Sequence, residues 1–129
     1  MLHTNYTHII NGLRHIAPLR ELRQAQADIF TDFLSQSDKN LTKGFFDLAT
    51  GFGKTRMMNI LSEAYLSQNP NGRMIVVVPT KALVCDENGD GMIKRFKDFH
   101  QMYHTEPLSI GAFYSKKKDA KQNIIVTTY

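Results

Sequence analysis

The stretch Ala49-Thr-Gly-Phe-Gly-Lys-Thr55 decides the fold of this chain. A short apolar run before it predicts a strand over 44–49, and the apolar spacing after it predicts a helix over 54–67. Gly51 and Gly53 allow the backbone to turn sharply and to bring its N–H groups close to an anion. Because this turn leads into a helix N-terminus, the sequence predicts a loop that binds a polyphosphate.

The side chains of this predicted loop suit a nucleotide. Lys54 places an ammonium group against the β- and γ-phosphates, and the Thr55 hydroxyl is a natural ligand for Mg²⁺. Thr50 and Phe52 complete the loop beside the glycines. The strict pattern G-x-x-x-x-G-K-S/T has glycine where this sequence has Leu48, which argues against generic GTPases and small kinases. The alternative interpretation is a plain turn between a strand and a helix.

Helical and strand patterns alternate along the chain. Further helices are predicted over 19–35 and 92–103, and further strands over 74–78, 108–114 and 124–129. This alternation predicts an α/β domain with a mostly parallel sheet and right-handed crossovers. The continuous β-branched run at 74–78 predicts a strand that is buried on both faces.

Smaller features complete the predicted organisation. Residues 1–17 have roughly helical apolar spacing and are interpreted as an N-terminal extension, with the main domain over 18–129. The polar segment 116–123 is predicted to be a solvated connection. The helix over 19–35 is expected to bury an apolar stripe formed by Leu22, Ala25, Ile29, Phe33 and Leu34.

Composition narrows the class of protein. The chain has 129 residues, which fits one domain, and 42% of them are hydrophobic, which is enough for a core. Its formal net charge of +4 is compatible with a nucleic-acid partner. The single cysteine, Cys85, excludes an internal disulfide and fits a reducing cytoplasm. No apolar run is long enough to span a membrane, and no signal pattern precedes the domain.

Four segments, in order, resemble the first motor domain of superfamily-2 helicases and translocases, especially type I and type III restriction-enzyme motor subunits and their DEAD-like relatives. Leu22-Arg-Gln-Ala-Gln26 looks like the L-R-x-x-Q element, and the segment at 48–55 looks like motif I. Val78-Pro-Thr-Lys-Ala-Leu-Val84 looks like motif Ia, and Ile124-Ile-Val-Thr-Thr-Tyr129 resembles a later threonine motif. The resemblance covers about residues 18–129 and implies a partial RecA-like P-loop NTPase domain.

The resemblance implies ATP and Mg²⁺ as cofactors and gives roles to two residues before the loop. Gln26 would read the adenine edge through its amide, which both donates and accepts hydrogen bonds. Arg23 would support the nucleotide. The alternatives are an exposed helix glutamine and a solvated arginine.

The resemblance also implies a nucleic-acid partner, with DNA favoured over RNA. Thr80 and Lys81 would contact a phosphate at the carboxyl end of a strand, where α/β sheets place their ligands. Thr127 and Thr128 would also contact a phosphate. The alternatives are that Thr80 only caps a helix and that the two later threonines only suit a strand.

One family motif is missing from these residues. The family hydrolyses ATP with an acidic motif, D-E-x-H or D-E-x-D, which this sequence does not contain. We therefore expect a fragment or a truncated protein that is inactive as a hydrolase on its own. Without the strand of that motif, we expect an open sheet edge that the rest of the motor, a protein partner or a second copy covers. The alternative function is a protein-interaction module without catalysis.

Three patterns imitate other sites. Asp86-Glu-Asn-Gly-Asp-Gly91 begins like a calcium-binding loop, but Lys97 occupies the position where that loop needs a glutamate. His100 and His104 have the spacing of a helical metal pair, without the glutamate of the zinc motif. The run at 116–118 is interpreted as a solvated set of lysines, with a nucleic-acid contact as the alternative.

Overall fold

The structure is a computed structural model that describes residues 2–35, 47–49, 51–104, 109–114, 117–118 and 120–128. The chain divides into two compact units, Met1–Pro70 and Asn71–Tyr129, and each is described by itself. The strand predicted over 44–49 lies largely outside the described residues. Its last residues, 47–49, are described and are not assigned to a strand.

The described part of the first unit is helical. It contains α1 (Leu2–Ile16), a 3₁₀ turn (Ala17–Leu19), α2 (Gln24–Ser35) and α3 (Lys54–Gln68). Helix α3 matches its prediction, whereas α2 begins later than the predicted residue 19. The delay has a local cause, because the 3₁₀ turn carries a proline in its first positions and the chain is extended at Arg20.

Helices α1 and α3 pack against each other and form the core of the first unit. Leu13 of α1 and Ile60 of α3 are completely buried. The two helices approach closely where Gly12 of α1 faces the backbone of Ala64 in α3, since a Cβ atom at Gly12 would overlap the Ala64 carbonyl group. The absence of a side chain at Gly12 therefore sets the distance between the helices.

Replacing Gly12 with alanine is expected to lower the free energy of unfolding by about 1–3 kcal/mol, because the added methyl group forces the two helices apart. Urea denaturation followed by circular dichroism measures the effect. Asn11→Ala is the matched control, since Asn11 is the exposed neighbour on the same helix. A Gly12→Ala chain as stable as the control would show that the close approach carries no constraint.

Helix α2 buries a different face from the predicted one. Gln26 and Phe30 are each 2% exposed, whereas Ala25 of the predicted stripe is exposed and Ile29 and Phe33 are only half-buried. The prediction was wrong because it ranked side chains by hydrophobicity. A polar side chain can be buried where it finds hydrogen-bond partners, and Gln26 does so.

The second unit is built on a sheet with helices packed against it. Its strands are β1 (Met74–Val78), β2 (Ile110–Tyr114), β3 (Lys117–Lys118) and β4 (Ile124–Thr128), in the order β1-β4-β2-β3. Strand β4 pairs in parallel with both β1 and β2. Helices α4 (Lys81–Val84) and α5 (Met92–Tyr103) contact these strands. The predicted α/β class with a mostly parallel sheet is confirmed.

Strand β3 corrects the prediction of a solvated connection over 116–123. It pairs antiparallel with the end of β2, where Tyr114 lies opposite Lys117 and Phe113 lies opposite Lys118. The sequence predicts a solvated segment because four of the eight residues in 116–123 are lysines. Charged side chains are also common on short edge strands, where they discourage pairing with other chains.

Strand β1 is buried on one face only, so the prediction of two buried faces was wrong. Val76 and Val78 are buried, whereas Ile75 is 68% exposed and Val77 is 50% exposed. Among the described residues, β1 lies at one end of the sheet and pairs only with β4. A continuous apolar run does not distinguish a strand in the middle of a sheet from one at its edge.

Candidate nucleotide-binding loop and sheet-end residues

The glycine loop has the backbone conformation that the sequence predicts. Gly51 has a φ of 80° and Gly53 has a φ of 88° with a ψ of 43°, both in the left-handed region that favours glycine. The backbone N–H of Phe52 donates to the Ala49 carbonyl at 3.2 Å and closes the turn. Helix α3 begins directly after Gly53.

The N-terminus of α3 has features that favour the binding of an anion. Gly53 has no side chain with which to cap the helix, and the first turn of α3 contains no acidic residue. Lys54 is exposed and Thr55 is half-buried, both in that first turn. The partial positive charge of the helix end and the Lys54 ammonium group therefore act at the same place. Thr50, which the sequence analysis includes in the loop, lies outside the described residues.

Both ends of the Gln26 amide form hydrogen bonds, and its nitrogen end holds the loop. Its Nε2 donates to the Phe52 carbonyl at 2.9 Å and to the Gly53 carbonyl at 3.3 Å. Its Oε1 accepts from the backbone N–H of Arg23 at 3.1 Å. The alternative of an exposed helix glutamine is therefore wrong. The adenine contact stays a prediction, because in this conformation the amide bonds to the chain itself.

Replacing Gln26 with glutamate is expected to destabilise the loop and to weaken nucleotide binding. A carboxylate cannot donate to the Phe52 and Gly53 carbonyls, so these half-buried oxygens would face the negative charge of a buried side chain. The expected loss is about 2–4 kcal/mol in unfolding free energy, measured by urea denaturation. Gln101→Glu is the control, because Gln101 is exposed on α5. Equal stability of the two variants would contradict the role given to Gln26.

Three arginines tie the segment before α2 to the loop and to α3. Arg23 donates from Nη1 to the Gly51 carbonyl at 2.9 Å, and Arg56 of α3 donates from Nε to the Glu21 carbonyl at 3.0 Å. Arg20 forms a two-bond ion pair with Glu63 of α3, with Nε 2.9 Å from Oε2. Arg23 thus contacts the predicted loop.

Arg20 and Glu63 were missed by the sequence analysis. Their side chains are only 8% and 9% exposed, so the ion pair is almost completely removed from water. Neither residue belongs to a motif, and 43 residues separate them along the chain. No sequence signal identifies such a pair, since charged residues are ordinarily exposed.

The predicted nucleic-acid residues come together at one end of the sheet in the second unit. Thr80 and Lys81 follow the end of β1, from which Pro79 separates them. Thr127 and Thr128 end β4, which is the neighbouring parallel strand. Thr128 lies opposite Val78 in the β1–β4 register. The carboxyl ends of parallel strands are where α/β sheets bind ligands.

These four residues differ in their hydrogen bonds and in their exposure to solvent. The Thr80 hydroxyl accepts from the Leu83 N–H at 3.3 Å. Thr80 therefore caps α4, which the sequence offered as the alternative to a phosphate contact. Its hydroxyl hydrogen still provides a donor. Thr127 donates from its hydroxyl to the Phe113 carbonyl. Lys81 is exposed, whereas Thr128 is half-buried.

The imitation sites have structural explanations. The Asp86 carboxylate accepts from the N–H groups of Asn88 and Asp90, both at 2.9 Å, which makes the segment a self-bonded turn. The rings of His100 and His104 stack with their centroids 4.5 Å apart. Within the described ranges, no group of three or more His, Cys, Asp or Glu residues is arranged to hold a metal ion. No helix in the described part of the chain has the length and apolarity needed to cross a membrane.

Comparison with known proteins identifies a family whose model covers most of the chain. The sequence model of the family described as type III restriction enzyme, res subunit, matches residues 19–129. The matched range contains the glycine loop, Gln26 and the sheet-end residues of the second unit, and it excludes α1. Neither a search of curated proteins nor a search of solved structures found a significant match.

Proposed function

Because the chain belongs to the family of the type III restriction enzyme res subunit, whose members contain an ATP-dependent, helicase-like motor domain, we propose that it is the ATP-binding portion of a nucleic-acid-dependent ATPase. The observation that carries the proposal is the loop at the start of α3. Two glycines in the left-handed region stand there directly before Lys54 and Thr55. A turn without function needs neither the second left-handed glycine nor a lysine at this position.

The residues of this loop fit Mg²⁺-ATP. Lys54 would bind the β- and γ-phosphates, the Thr55 hydroxyl would be a Mg²⁺ ligand, and backbone N–H groups around Gly51 and Gly53 would bind phosphate oxygens. Arg23 and Gln26 would hold the loop in shape through the Gly51, Phe52 and Gly53 carbonyls. For Gln26 to read adenine, part of its amide would have to leave these carbonyls.

Binding is expected without turnover by this chain alone. None of the 129 residues forms the acidic D-E-x-H or D-E-x-D motif that would complete the Mg²⁺ site and position the attacking water. The phosphate loop by itself supplies charge neutralisation and position, which are the binding half of phosphoryl transfer.

The nucleic-acid half of the proposal concerns the end of the sheet. Lys81 and the hydroxyls of Thr80 and Thr128 would contact backbone phosphates, and Thr127 would contribute at the same end. We favour DNA over RNA because the matching family is described as a restriction enzyme. We also propose a cytoplasmic location, which the single cysteine supports. The net charge of +4 supports contact with a polyanion.

Titration with a fluorescent ATP analogue in the presence of Mg²⁺ tests the proposal. We expect micromolar binding that ATP displaces and that weakens when EDTA removes the metal. Displacement by ATP but not by GTP would support adenine recognition. A folded chain that shows no binding at millimolar nucleotide would contradict the proposal.

The exposed side chains of β1 favour a second candidate function, a protein-interaction module. Ile75 and Val77 present an apolar pair at the end strand of the described sheet. Exposed apolar edge strands are sites of pairing with another chain. Light scattering over a range of concentrations tests for a second copy as the partner, and a constant monomer mass would exclude self-association.

A further inference from the structure

The end of the sheet holds an aromatic side chain that the proposed phosphate contacts do not use. Tyr114 is the last residue of β2, and its ring lies under the ammonium group of Lys81, with 5.9 Å between Nζ and the ring centroid. Lys81 begins α4, with two residues between it and the end of β1, and β4 lies between β1 and β2 in the sheet. The pair therefore spans the carboxyl end of β4.

The strand register shows which side chains share a face with Tyr114. Phe113 lies opposite Thr127, and successive residues of a strand point to opposite faces. Tyr114 therefore shares its face with Thr128, whereas Phe113 shares the other face with Thr127. One face of the sheet end thus combines an aromatic ring, a cation and a hydroxyl group.

From this arrangement we propose that Tyr114 is a base-stacking residue and that the sheet end binds a single-stranded polynucleotide. A base would stack on the Tyr114 ring while Lys81 and Thr128 contact the phosphate beside it. The proposal rests on the nucleic-acid half of the proposed function and adds the form of its ligand. Stacking requires an unpaired base, because the base faces of a duplex are covered by their neighbours.

The distance between Lys81 and Tyr114 favours a weak contact that the Lys81 ammonium group can leave for a phosphate. A cation attracts an aromatic ring within about 6 Å of its centroid, so a separation of 5.9 Å lies at the limit of the interaction. Lys81 is exposed and Tyr114 is half-buried, so the ammonium group can move to a phosphate and leave the ring to a base. The ring therefore loses little attraction when a nucleotide arrives.

The antiparallel pair of β2 and β3 offers a matched control on the opposite face of the sheet. Lys118 of β3 lies over the Phe113 ring, with 4.8 Å between Nζ and the ring centroid. This second cation–π pair has the same chemistry, but the strand register puts Phe113 on the face opposite Tyr114 and Thr128. Phe113→Leu therefore removes an aromatic ring from β2 on the face opposite the proposed stacking site.

Fluorescence anisotropy with the full chain tests the proposal. The probes are labelled oligo(dT), an abasic sugar–phosphate oligomer of equal length, a duplex and oligo(rU). We expect oligo(dT) to bind more tightly than the abasic oligomer and the duplex. Tyr114→Leu is expected to weaken oligo(dT) binding by roughly 5- to 150-fold, whereas Tyr114→Phe and Phe113→Leu keep it. Oligo(rU) shows whether the sugar is also selected.

The dependence of binding on salt separates stacking from phosphate contact. Lys81→Ala is expected to lower the slope of log affinity against log salt by about 0.7, the value for one phosphate contact on a single strand. Tyr114→Leu should leave that slope unchanged, because a stacked base releases no counterion. A slope that falls with Tyr114→Leu as it does with Lys81→Ala would mean that Tyr114 only positions Lys81, which overturns the stacking role.

The remaining outcomes distinguish the stacking role of Tyr114 from the nucleic-acid half of the proposed function. Equal binding of oligo(dT) and the abasic oligomer overturns the stacking role and leaves the proposed phosphate contacts intact. This comparison needs only the unaltered chain, so it holds even where Tyr114→Leu does not fold. A chain that binds the ATP analogue but no polynucleotide overturns both the stacking role and the nucleic-acid half of the proposed function.

Discussion

Replacing Lys54 with alanine is expected to weaken the binding of Mg²⁺-ATP by roughly 10- to 150-fold, or about 1.5–3 kcal/mol, which is the range for a hydrogen bond to a charged group. Lys54 is exposed in the first turn of α3, where no acidic residue competes for its ammonium group. Its stem contributes little to the core, so the folded state should survive the change. Titration with the fluorescent ATP analogue measures the loss.

Lys94 provides the control for the removal of one positive charge. It lies exposed on α5, and the hydrogen bond and the charge of Asp98 raise its pKa, so it is fully protonated at pH 7. Lys94→Ala is expected to leave nucleotide binding unchanged. If both variants bind the analogue as well as the unaltered chain does, the loop at Gly51–Thr55 is not the nucleotide site.

Replacing Glu63 with leucine is expected to lower the free energy of unfolding by about 3–5 kcal/mol. The change leaves the guanidinium group of Arg20 in a place where its side chain is only 8% exposed, without the carboxylate that accepts two of its hydrogen bonds. A buried charge without its partner costs far more than an exposed one. Urea denaturation followed by circular dichroism gives the change in unfolding free energy.

Two further variants show whether burial causes this effect. In the double variant Arg20→Met with Glu63→Leu, both charges are removed, and we expect it to be more stable than Glu63→Leu alone. Asp98→Ala breaks the exposed ion pair with Lys94, in which the side chains are 53% and 54% exposed, and should cause no measurable loss. A Glu63→Leu chain no less stable than Asp98→Ala would show that the Arg20 pair does not hold the segment before α2.

The elements that were predicted well are those with strong local signals. Helix α5 has its predicted bounds, and β1 has the bounds of the run Met74–Val78. Helix α5 has a regular apolar period, whereas β1 is a continuous β-branched run, and each lies between clear turn residues. Strand β3 was missed because a segment of two lysines has no such period, and it exists only by pairing with the end of β2.

Burial was predicted less well than the elements themselves. The pattern of β1 does not reveal that Ile75 and Val77 are exposed, because exposure depends on which strands and helices lie beside it. The pattern of α2 does not reveal that Gln26 is buried, because its partners are carbonyl groups of a loop more than twenty residues away. In both elements the sequence specifies which side chain is present, and the strands, helices and loops packed around that side chain decide whether it is buried.

The sequence by itself determined the α/β class, the glycine turn and the position of Lys54 and Thr55 at the start of α3, because each depends on short-range backbone preferences. Only the tertiary structure decided that Gln26 bonds to the loop, that Arg20 and Glu63 form a buried pair, and that Tyr114 meets Lys81. Those contacts join residues far apart in the chain, so they exist only once packing and strand order have brought the elements together.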